Sequence, residues 1–166
     1  PALRLFDFIF SARPLLHLPI WSIYLVSLHY HQQLSGDPFA WHDIGILSGL
    51  TLLAAGAYYL NQVYDVDTDA RNAKLGFVDE GILTPKALVG AFLFTSAAGL
   101  GLGLVFSLVT VVIFAQLFLL GYFYSVPPTR LKDRAVWGLL ANAWSFGFLV
   151  SLSIMPRLSL HNAGLV

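Results

Sequence analysis

A stretch of 40 residues, 87–126, contains no charged side chain. A membrane-spanning helix needs roughly 20 consecutive apolar residues, so the stretch is long enough for two spans. Across the whole chain, 57% of the residues are hydrophobic and 11% are charged. Soluble domains average about 25% charged residues, and a soluble fold of this length has too little interior to bury so much apolar surface. We therefore expect an all-α, polytopic integral membrane helix bundle.

The apolar segments predict about five membrane helices. Their expected bounds are residues 15–30, 44–64, 85–105, 108–125 and 135–155. Gly99, Gly101 and Gly103 come just before the expected turn near residues 105–108, and Pro156 follows the last helix. We treat residues 1–166 as a single membrane domain. Because the fifth helix is followed by a short polar loop, we expect the N-terminal fragment of a larger protein.

The basic residues fall on one side of the predicted bundle. Eight of the 9 lysine and arginine residues precede the first helix or lie in the connections after the second and fourth helices. Cytoplasmic loops carry such an excess of positive charge, so the N-terminus and both charged loops are expected in the cytoplasm. The membrane would be a bacterial-type inner membrane or an organelle membrane. The net charge of zero gives no indication of a nucleic-acid partner, and the absence of cysteine excludes disulfides and zinc–thiolate sites.

Three oxygen-bearing residues recur at every fourth position near the end of the second predicted helix. Asn61, Asp65 and Asp69 would stack along one helical face, whereas Asp67 would point away from it. Carboxylates in the last turns of a helix oppose its dipole and repel one another. Mg²⁺ would offset that cost, because it prefers oxygen ligands and combines one or two carboxylates with substrate phosphates. Solvation at the membrane boundary is the alternative explanation, and the spacing alone does not separate the two.

Basic residues on the same predicted membrane face would supply counter-charge for an anionic ligand. They are Arg13, Arg71, Lys74, Arg130, Lys132 and Arg134. Arginine suits bidentate contact with phosphate, and lysine acts as a point charge. Membrane topology or lipid headgroup contact also explains any one of them. The functional interpretation depends on acidic and basic residues occurring together on one face.

In these motifs the chain resembles the UbiA-type intramembrane prenyltransferase superfamily. Asn61, Asp65 and Asp69 match the first aspartate-rich motif of that family, at the expected end of the second helix. The sequence Asn-Ala-Lys-Leu-Gly-Phe at 72–77, followed by Gly-Ile-Leu-Thr at 81–84, resembles the family's loop between helices 2 and 3.

Two further segments carry the same resemblance. Tyr-Ser-Val-Pro-Pro-Thr-Arg-Leu-Lys at 124–132 resembles the loop between helices 4 and 5, and Arg13-Pro14 before the first helix is typical of the family. The resemblance implies a nine-helix fold with a second aspartate-rich motif after the sixth helix. This chain would be the first half of that fold, without the second motif, so it is not expected to catalyse the reaction alone.

The resemblance also implies a reaction, the transfer of a polyprenyl group from its diphosphate to an acceptor, with Mg²⁺-assisted loss of pyrophosphate. The implied partners are a prenyl diphosphate, a small acceptor that is often an electron-rich aromatic ring, and the lipid bilayer. The implied metal ligands are Asn61, Asp65 and Asp69. The implied catalytic residues are Asp65, Asp69, Tyr124 and Lys132, with Tyr124 as a hydrogen-bond donor to phosphate. The implied substrate-binding residues are Arg13, Asn61, Lys74 and Arg130.

Two other functions stay open at the level of sequence. A cation transporter fragment would also place carboxylates in a membrane, although transport sites usually lie near the bilayer midplane. A non-catalytic membrane scaffold is the other alternative. Gln116 and Asn142 lie inside predicted helices, where polar residues serve function or interhelical hydrogen bonding. The histidines His29, His31 and His42 are expected at the opposite interface, away from the aspartates.

Overall fold

The computed structural model describes residues 2–71, 77–78 and 80–155, and the secondary structure in these ranges is entirely helical. The elements, in chain order, are α1 (Ala2–Ser11), a 3₁₀ turn (Pro14–His17), α2 (Leu18–Ser35), α3 (Trp41–Arg71), α4 (Pro85–Phe106), α5 (Leu108–Ser125), a second 3₁₀ turn (Leu131–Asp133), α6 (Ala135–Asn142), a π-helical segment (Ala143–Leu149) and α7 (Val150–Leu152).

Four segments of the described chain are long and apolar enough to cross a bilayer. They are Trp41–Val66, Pro85–Phe106, Leu108–Ser125 and Ala135–Leu152. A fifth span arises if Leu5–Ser11 and Pro14–Ser35, which meet at a bend of 46°, are taken together. The prediction of an all-α, polytopic membrane bundle is confirmed.

The first two helices differ from their predicted bounds. The predicted helix 15–30 is α2, Leu18–Ser35, which ends where Gly36 adopts a left-handed conformation with φ 79°. A separate helix, α1, precedes it and exposes an apolar stripe of Leu5, Phe6, Ile9 and Phe10. The hydropathy pattern did not predict α1, because its ten residues are too short for a membrane span.

The helix predicted at 44–64 extends further than expected. It is α3, which continues to Arg71 and so carries the whole acidic motif on regular helix. The predicted bound lies at residue 64 because an apolar-span criterion stops at charged residues, and Asp65 follows. Acidic residues near a helix C-terminus are also unfavourable. In the structure, cationic side chains from other segments lie against these acids and offset that cost.

The uncharged stretch divides at a single residue. Ser107 lies between α4 and α5, and its hydroxyl accepts a hydrogen bond of 3.1 Å from the backbone amide of Thr110. Thr84 caps α4 in the same way, accepting from Ala87 at 3.2 Å, with Pro85 in the first helical turn. Both hydroxyls satisfy amides that a helix N-terminus leaves without an internal partner.

Two of the three glycines that precede the turn between α4 and α5 lie in the interior, where helices contact each other closely. Gly99 of α4 is buried, and a Cβ atom there would lie 2.9 Å from the Leu53 side chain and 3.2 Å from the Gly49 carbonyl oxygen of α3. Gly103 is buried against α5, whereas Gly101 faces open space. The α3–α4 pair is thus packed backbone to backbone.

The apolar interior forms two clusters. The larger cluster joins α2, α3, α5 and the last span through Ile20, Tyr24, Leu28, Ile46, Leu50, Leu53, Ile113, Phe114, Leu149 and Val150. The smaller cluster joins α3, α4, the segment before α4 and the residue after α5 through Ala55, Tyr59, Leu60, Leu83, Leu88, Phe92 and Val126. Since α3 contributes to both clusters, it is the central helix of the bundle.

Candidate active site

The acidic motif opens into a cavity of about 730 Å³ between the helices. Asn61, Asp65 and Asp69 all line it, as their spacing along α3 predicts. Both carboxylates are largely buried, with side chains 14% and 11% exposed. Burial at this level weakens screening by solvent, so nearby charges act strongly on them.

Two cations from the connection after α5 contact Asp65. The Lys132 ammonium donates to Asp65 Oδ1 and also to Asn61 Oδ1, the latter at 2.8 Å. The Arg130 guanidinium donates to the same Asp65 oxygen at 3.2 Å. It also forms an ion pair with Asp133 at 2.8 Å. One connection therefore places two positive charges at the middle of the acidic motif.

A third cation comes from the N-terminal segment. Arg13 lies between α1 and α2, and its guanidinium is 3.7 Å from Asp69 Oδ2. Side chains of α3 anchor the segment through hydrogen bonds that include Tyr59 to the Phe8 carbonyl, Gln62 to Ser11, and Tyr58 to the Leu16 carbonyl. These bonds fix Arg13 opposite the last turn of the acidic motif.

The backbone at both arginines is unusual. Arg13 has φ 54° and Arg130 has φ 34°, and they are the non-glycine residues with positive φ in the described chain. Such conformations cost energy for residues with a Cβ atom and cluster at functional sites. Each arginine directly precedes a short 3₁₀ turn, so the strained residue redirects the chain and brings its side chain to the acids.

Asn61 is held by a neighbour on α5. The Ser125 hydroxyl, 1% exposed, donates to Asn61 Oδ1 at 3.1 Å. Lys132 donates to the same oxygen, so the amide oxygen of Asn61 accepts from two residues that also line the cavity. Sequence reasoning did not assign Ser125, although it lies in the quoted segment at 124–132, directly after Tyr124.

The remainder of the cavity is mostly apolar. Along α3, the wall continues from the acidic motif through Ala57, Ala54, Leu53 and Leu50. Residues from other helices complete it, chiefly Leu16, Pro19, Ile20, Leu117, Leu120, Gly121, Phe146 and Val150. The cavity is therefore amphipathic, with a charged end and a long apolar body.

Tyr124 lies on the cavity wall beside a second polar group. Its hydroxyl accepts a hydrogen bond of 3.5 Å from the Asn142 amide at the end of α6. Ser145, in the π-helical segment, lines the same wall. The structure thus brings Tyr124 to the cavity, but its observed hydrogen bond is with Asn142 and not with the acidic motif.

Several residues singled out by their sequence pattern lie elsewhere or outside the described residues. Lys74 lies outside them, as do the side chains of Asp67 and Arg71. Gln116 lines a separate apolar groove and donates to the Val112 carbonyl at 3.4 Å.

Two histidines pair with aspartates near the C-terminus of α2 and the N-terminus of α3, at the other end of α3 from the acidic motif. His31 pairs with Asp37 and His42 pairs with Asp43, each at 3.2 Å. Both pairs are remote along these helices from the acidic motif, so they belong to a different part of the fold.

Among the described residues, no three acidic, histidine or cysteine side chains form a group that could hold a metal ion by themselves. The acidic motif offers two carboxylates and one amide oxygen. Two of these oxygens, from Asn61 and Asp65, converge closely enough for the single Lys132 ammonium to contact both. The set fits a hard cation whose remaining ligands come from a phosphate-bearing substrate.

Comparison with known proteins identifies the family to which the chain belongs. No curated protein and no solved structure matches the chain. The model of the UbiA prenyltransferase family matches residues 20–155. The match begins in the first turn of α2 and includes the four later membrane-spanning segments. That match covers most of the chain and agrees with the resemblance in the acidic motif and in the two loops. The chain belongs to the UbiA prenyltransferase family.

Proposed function

We propose that this chain forms a diphosphate-binding site of an intramembrane prenyltransferase, which transfers a polyprenyl group to a small acceptor. Family membership supports prenyltransferase chemistry in general. The observation that carries the specific proposal is the amphipathic cavity, in which a charged end bearing Asp65 and Lys132 continues into an apolar body. A prenyl diphosphate has the same division, with an anionic head and a hydrocarbon tail.

The acidic motif would hold Mg²⁺ through Asn61, Asp65 and Asp69. Two carboxylates and an amide oxygen are suitable ligands for this ion, and substrate phosphate oxygens would complete the shell. When bound, Mg²⁺ would supply Lewis-acid stabilisation of the departing pyrophosphate.

The three cations have a matching role. Arg13, Arg130 and Lys132 lie at the charged end, where they would bind the diphosphate oxygens and stabilise charge as it develops. The bond between the allylic carbon and the diphosphate oxygen breaks, and its electron pair leaves with pyrophosphate. A ring carbon of the acceptor then bonds to the allylic carbon, and the ring loses a proton to pyrophosphate or water.

The apolar body of the cavity would hold the isoprenoid tail. The wall formed by α3 changes from polar at Asn61 to apolar at Ala57, and it stays apolar at Leu53. In the proposed complex, this boundary would position the reacting carbon at the end of the charged region and would keep bulk water away from an allylic cation. Exclusion of water matters because water would otherwise capture the cation in place of the acceptor.

The same charges support a membrane orientation. The chain is an integral membrane protein by its apolar helices and its family. Arg13 and Lys132 contact the same end of α3, which supports a common membrane face for these basic residues. By the positive-inside rule, that face would be cytoplasmic.

The alternative of a cation transporter has weaker support. A transported ion needs acids that it can leave, usually near the bilayer midplane. Here the acids lie in the last turns of α3, and three cationic side chains already contact them. Cation flux into vesicles containing the purified protein, unaffected by prenyl diphosphate, would favour transport instead.

Binding of geranylgeranyl diphosphate to the complete gene product, measured by calorimetry with Mg²⁺ and with EDTA, tests the proposal. We expect at least about tenfold tighter binding with Mg²⁺, since the metal bridges the carboxylates and phosphate. Asp65→Asn and Asp69→Asn should each remove most of that difference. Glu80→Gln, at an exposed acid in the connection that follows α3, is the matched control and should leave it intact. Unchanged Mg²⁺ dependence in both aspartate variants would contradict the proposal.

A further inference from the structure

His17 is a buried polar residue to which the proposed reaction assigns no role. It is 3% exposed and ends the 3₁₀ turn between α1 and α2, four residues after Arg13. Its ring contacts both the Arg13 backbone and α3. Resting on the proposed function, we propose that His17 is a positioning residue, which holds the turn that carries Arg13 against α3 and so sets the Arg13 guanidinium opposite Asp69.

Both ring nitrogens of His17 contact backbone carbonyl oxygens. Nδ1 lies 3.3 Å from the Arg13 carbonyl oxygen, and Nε2 lies 3.3 Å from the Thr51 carbonyl oxygen on α3. A carbonyl oxygen only accepts, so the ring donates to one of the two in either neutral tautomer and to both when each nitrogen carries a proton. The imidazole is therefore a polar bridge between the Arg13 turn and the helix that bears Asp69.

Aromatic neighbours fix the orientation of this ring. Tyr58 of α3 contacts it edge to face, with ring centroids 5.3 Å apart and an angle of 73° between the planes. Trp21, four residues further along the chain, has its ring centroid 6.0 Å from that of His17 and donates its indole N–H to the Thr51 hydroxyl at 2.9 Å. Pairs of this kind stabilise beyond the area that they bury. Thr51 therefore receives polar contacts from two side chains of the α2 region.

The Arg13 turn needs such support because its backbone is strained. Arg13 has φ 54°, a left-handed conformation that costs energy for a residue with a Cβ atom. Its guanidinium is 3.7 Å from Asp69 and its side chain is 36% exposed, so this ion pair alone holds the turn weakly. Contacts to the backbone, such as that of His17, then determine where the guanidinium lies.

Any effect of His17 on the substrate would pass through Arg13. Arg13, Leu16 and Tyr58 are among the described residues that line the cavity, whereas His17 is not. Its two ring nitrogens are directed at backbone oxygens rather than at the charged end. A change at His17 should therefore alter diphosphate binding only while the Arg13 guanidinium is present.

Calorimetry of geranylgeranyl diphosphate with the complete gene product and Mg²⁺ tests this role. His17→Phe keeps an aromatic ring without an N–H, and we expect it to weaken binding about fivefold, the equivalent of one neutral hydrogen bond. His17→Gln restores a donor for the Thr51 carbonyl and should bind within about twofold of the wild type. His29→Phe, the same change at an exposed histidine of α2, is the matched control and should bind as the wild type does.

A double-mutant cycle separates the positioning of Arg13 from a general effect on packing. In an Arg13→Met background, His17→Phe should cause no further loss of affinity, because the guanidinium through which it acts is absent. Equal losses in both backgrounds would overturn the inference, as would wild-type affinity in His17→Phe, whatever its thermal stability. Affinity as low in His17→Gln as in His17→Phe would also overturn it, since the ring rather than its N–H would then matter.

A measurement without ligand tests the same role independently of the proposed function. The chain contains no cysteine, so nitroxide labels attach only at introduced positions. With labels at Leu15→Cys in the 3₁₀ turn and Leu93→Cys on α4, both exposed, His17→Leu should broaden the distribution of distances between the labels, and His29→Leu should not. An unchanged distribution in His17→Leu overturns the positioning role. A wild-type protein that does not bind geranylgeranyl diphosphate overturns the proposed function instead, and the label distances still decide whether His17 holds the turn.

Discussion

Asp65 receives two cationic side chains at one carboxylate oxygen. Lys132 and Arg130 both donate to one of its carboxylate oxygens, and the Lys132 ammonium also contacts Asn61. Because these side chains are mostly shielded from solvent, their interaction is weakly screened. The lysine is therefore positioned to contact any phosphate group that binds at Asp65, and its contribution can be measured separately.

Lys132→Met should weaken binding of geranylgeranyl diphosphate by about tenfold to a hundredfold, since a hydrogen bond to a charged group contributes about 1.5–3 kcal/mol. Calorimetry in the presence of Mg²⁺ measures the change. The control is Lys86→Met, which removes an exposed lysine at the start of α4. Equal affinity losses in the two variants would indicate a general effect of surface charge and would count against a specific role for Lys132.

For individual residues, sequence spacing predicted the common face of the acidic motif but not which basic side chain contacts each carboxylate. The i, i+4, i+8 spacing of Asn61, Asp65 and Asp69 was enough to indicate a common helical face. The pairing of Arg13 with Asp69 depends on how distant segments pack, which local pattern does not encode. Strained backbone at Arg13 and Arg130 was equally invisible, because arginine has no local preference for positive φ.

At the scale of elements, α3 and α4 depend on a close backbone approach. Gly99 lies where a methyl group would meet Leu53 and the Gly49 carbonyl oxygen. Leu53 also lines the apolar body of the cavity. Crowding at Gly99 would therefore affect both the stability of the helix pair and the shape of the cavity.

Gly99→Ala should destabilise the protein by about 1–3 kcal/mol, the usual cost of overpacking a tight interior. Thermal unfolding in detergent, followed by tryptophan fluorescence, reports this loss. Gly101→Ala is a close control, because it is two residues away on the same helix and faces open space. It should be neutral or slightly stabilising, since alanine favours a helix over glycine. The same melting temperature in both variants would disprove the close-contact interpretation.

The helical elements show where hydropathy is informative and where it fails. The 40-residue uncharged stretch indicated two spans, and they meet at Ser107. Hydropathy ended the second span at residue 64, whereas the spacing of Asn61, Asp65 and Asp69 indicated that the helix continues; their locally unfavourable carboxylates are compensated by residues from other segments. The π-helical segment at Ala143–Leu149 also escaped it, because apolar periodicity does not distinguish a π turn from an α turn.

On the scale of the whole molecule, the fold brings charge and apolar surface into one cavity. The positive residues of two separate segments converge because α3 ends near the point where α5 ends and α2 begins. Charge distribution along the sequence predicted this common face. The cavity itself could not be predicted, because its shape depends on the packing of α2, α3, α5 and α6 together.

The central claim is that the acidic motif binds a metal ion that contacts the diphosphate of a prenyl substrate. The most direct measurement is the ³¹P hyperfine coupling to Mn²⁺, a paramagnetic substitute for Mg²⁺, bound to the complete gene product with geranylgeranyl diphosphate. We expect a coupling typical of direct phosphate coordination in the wild-type protein, and its loss when Asp65→Asn and Asp69→Asn are combined. A coupling that persists in that double variant, or a wild-type protein that binds Mn²⁺ and substrate without any ³¹P coupling, would contradict it.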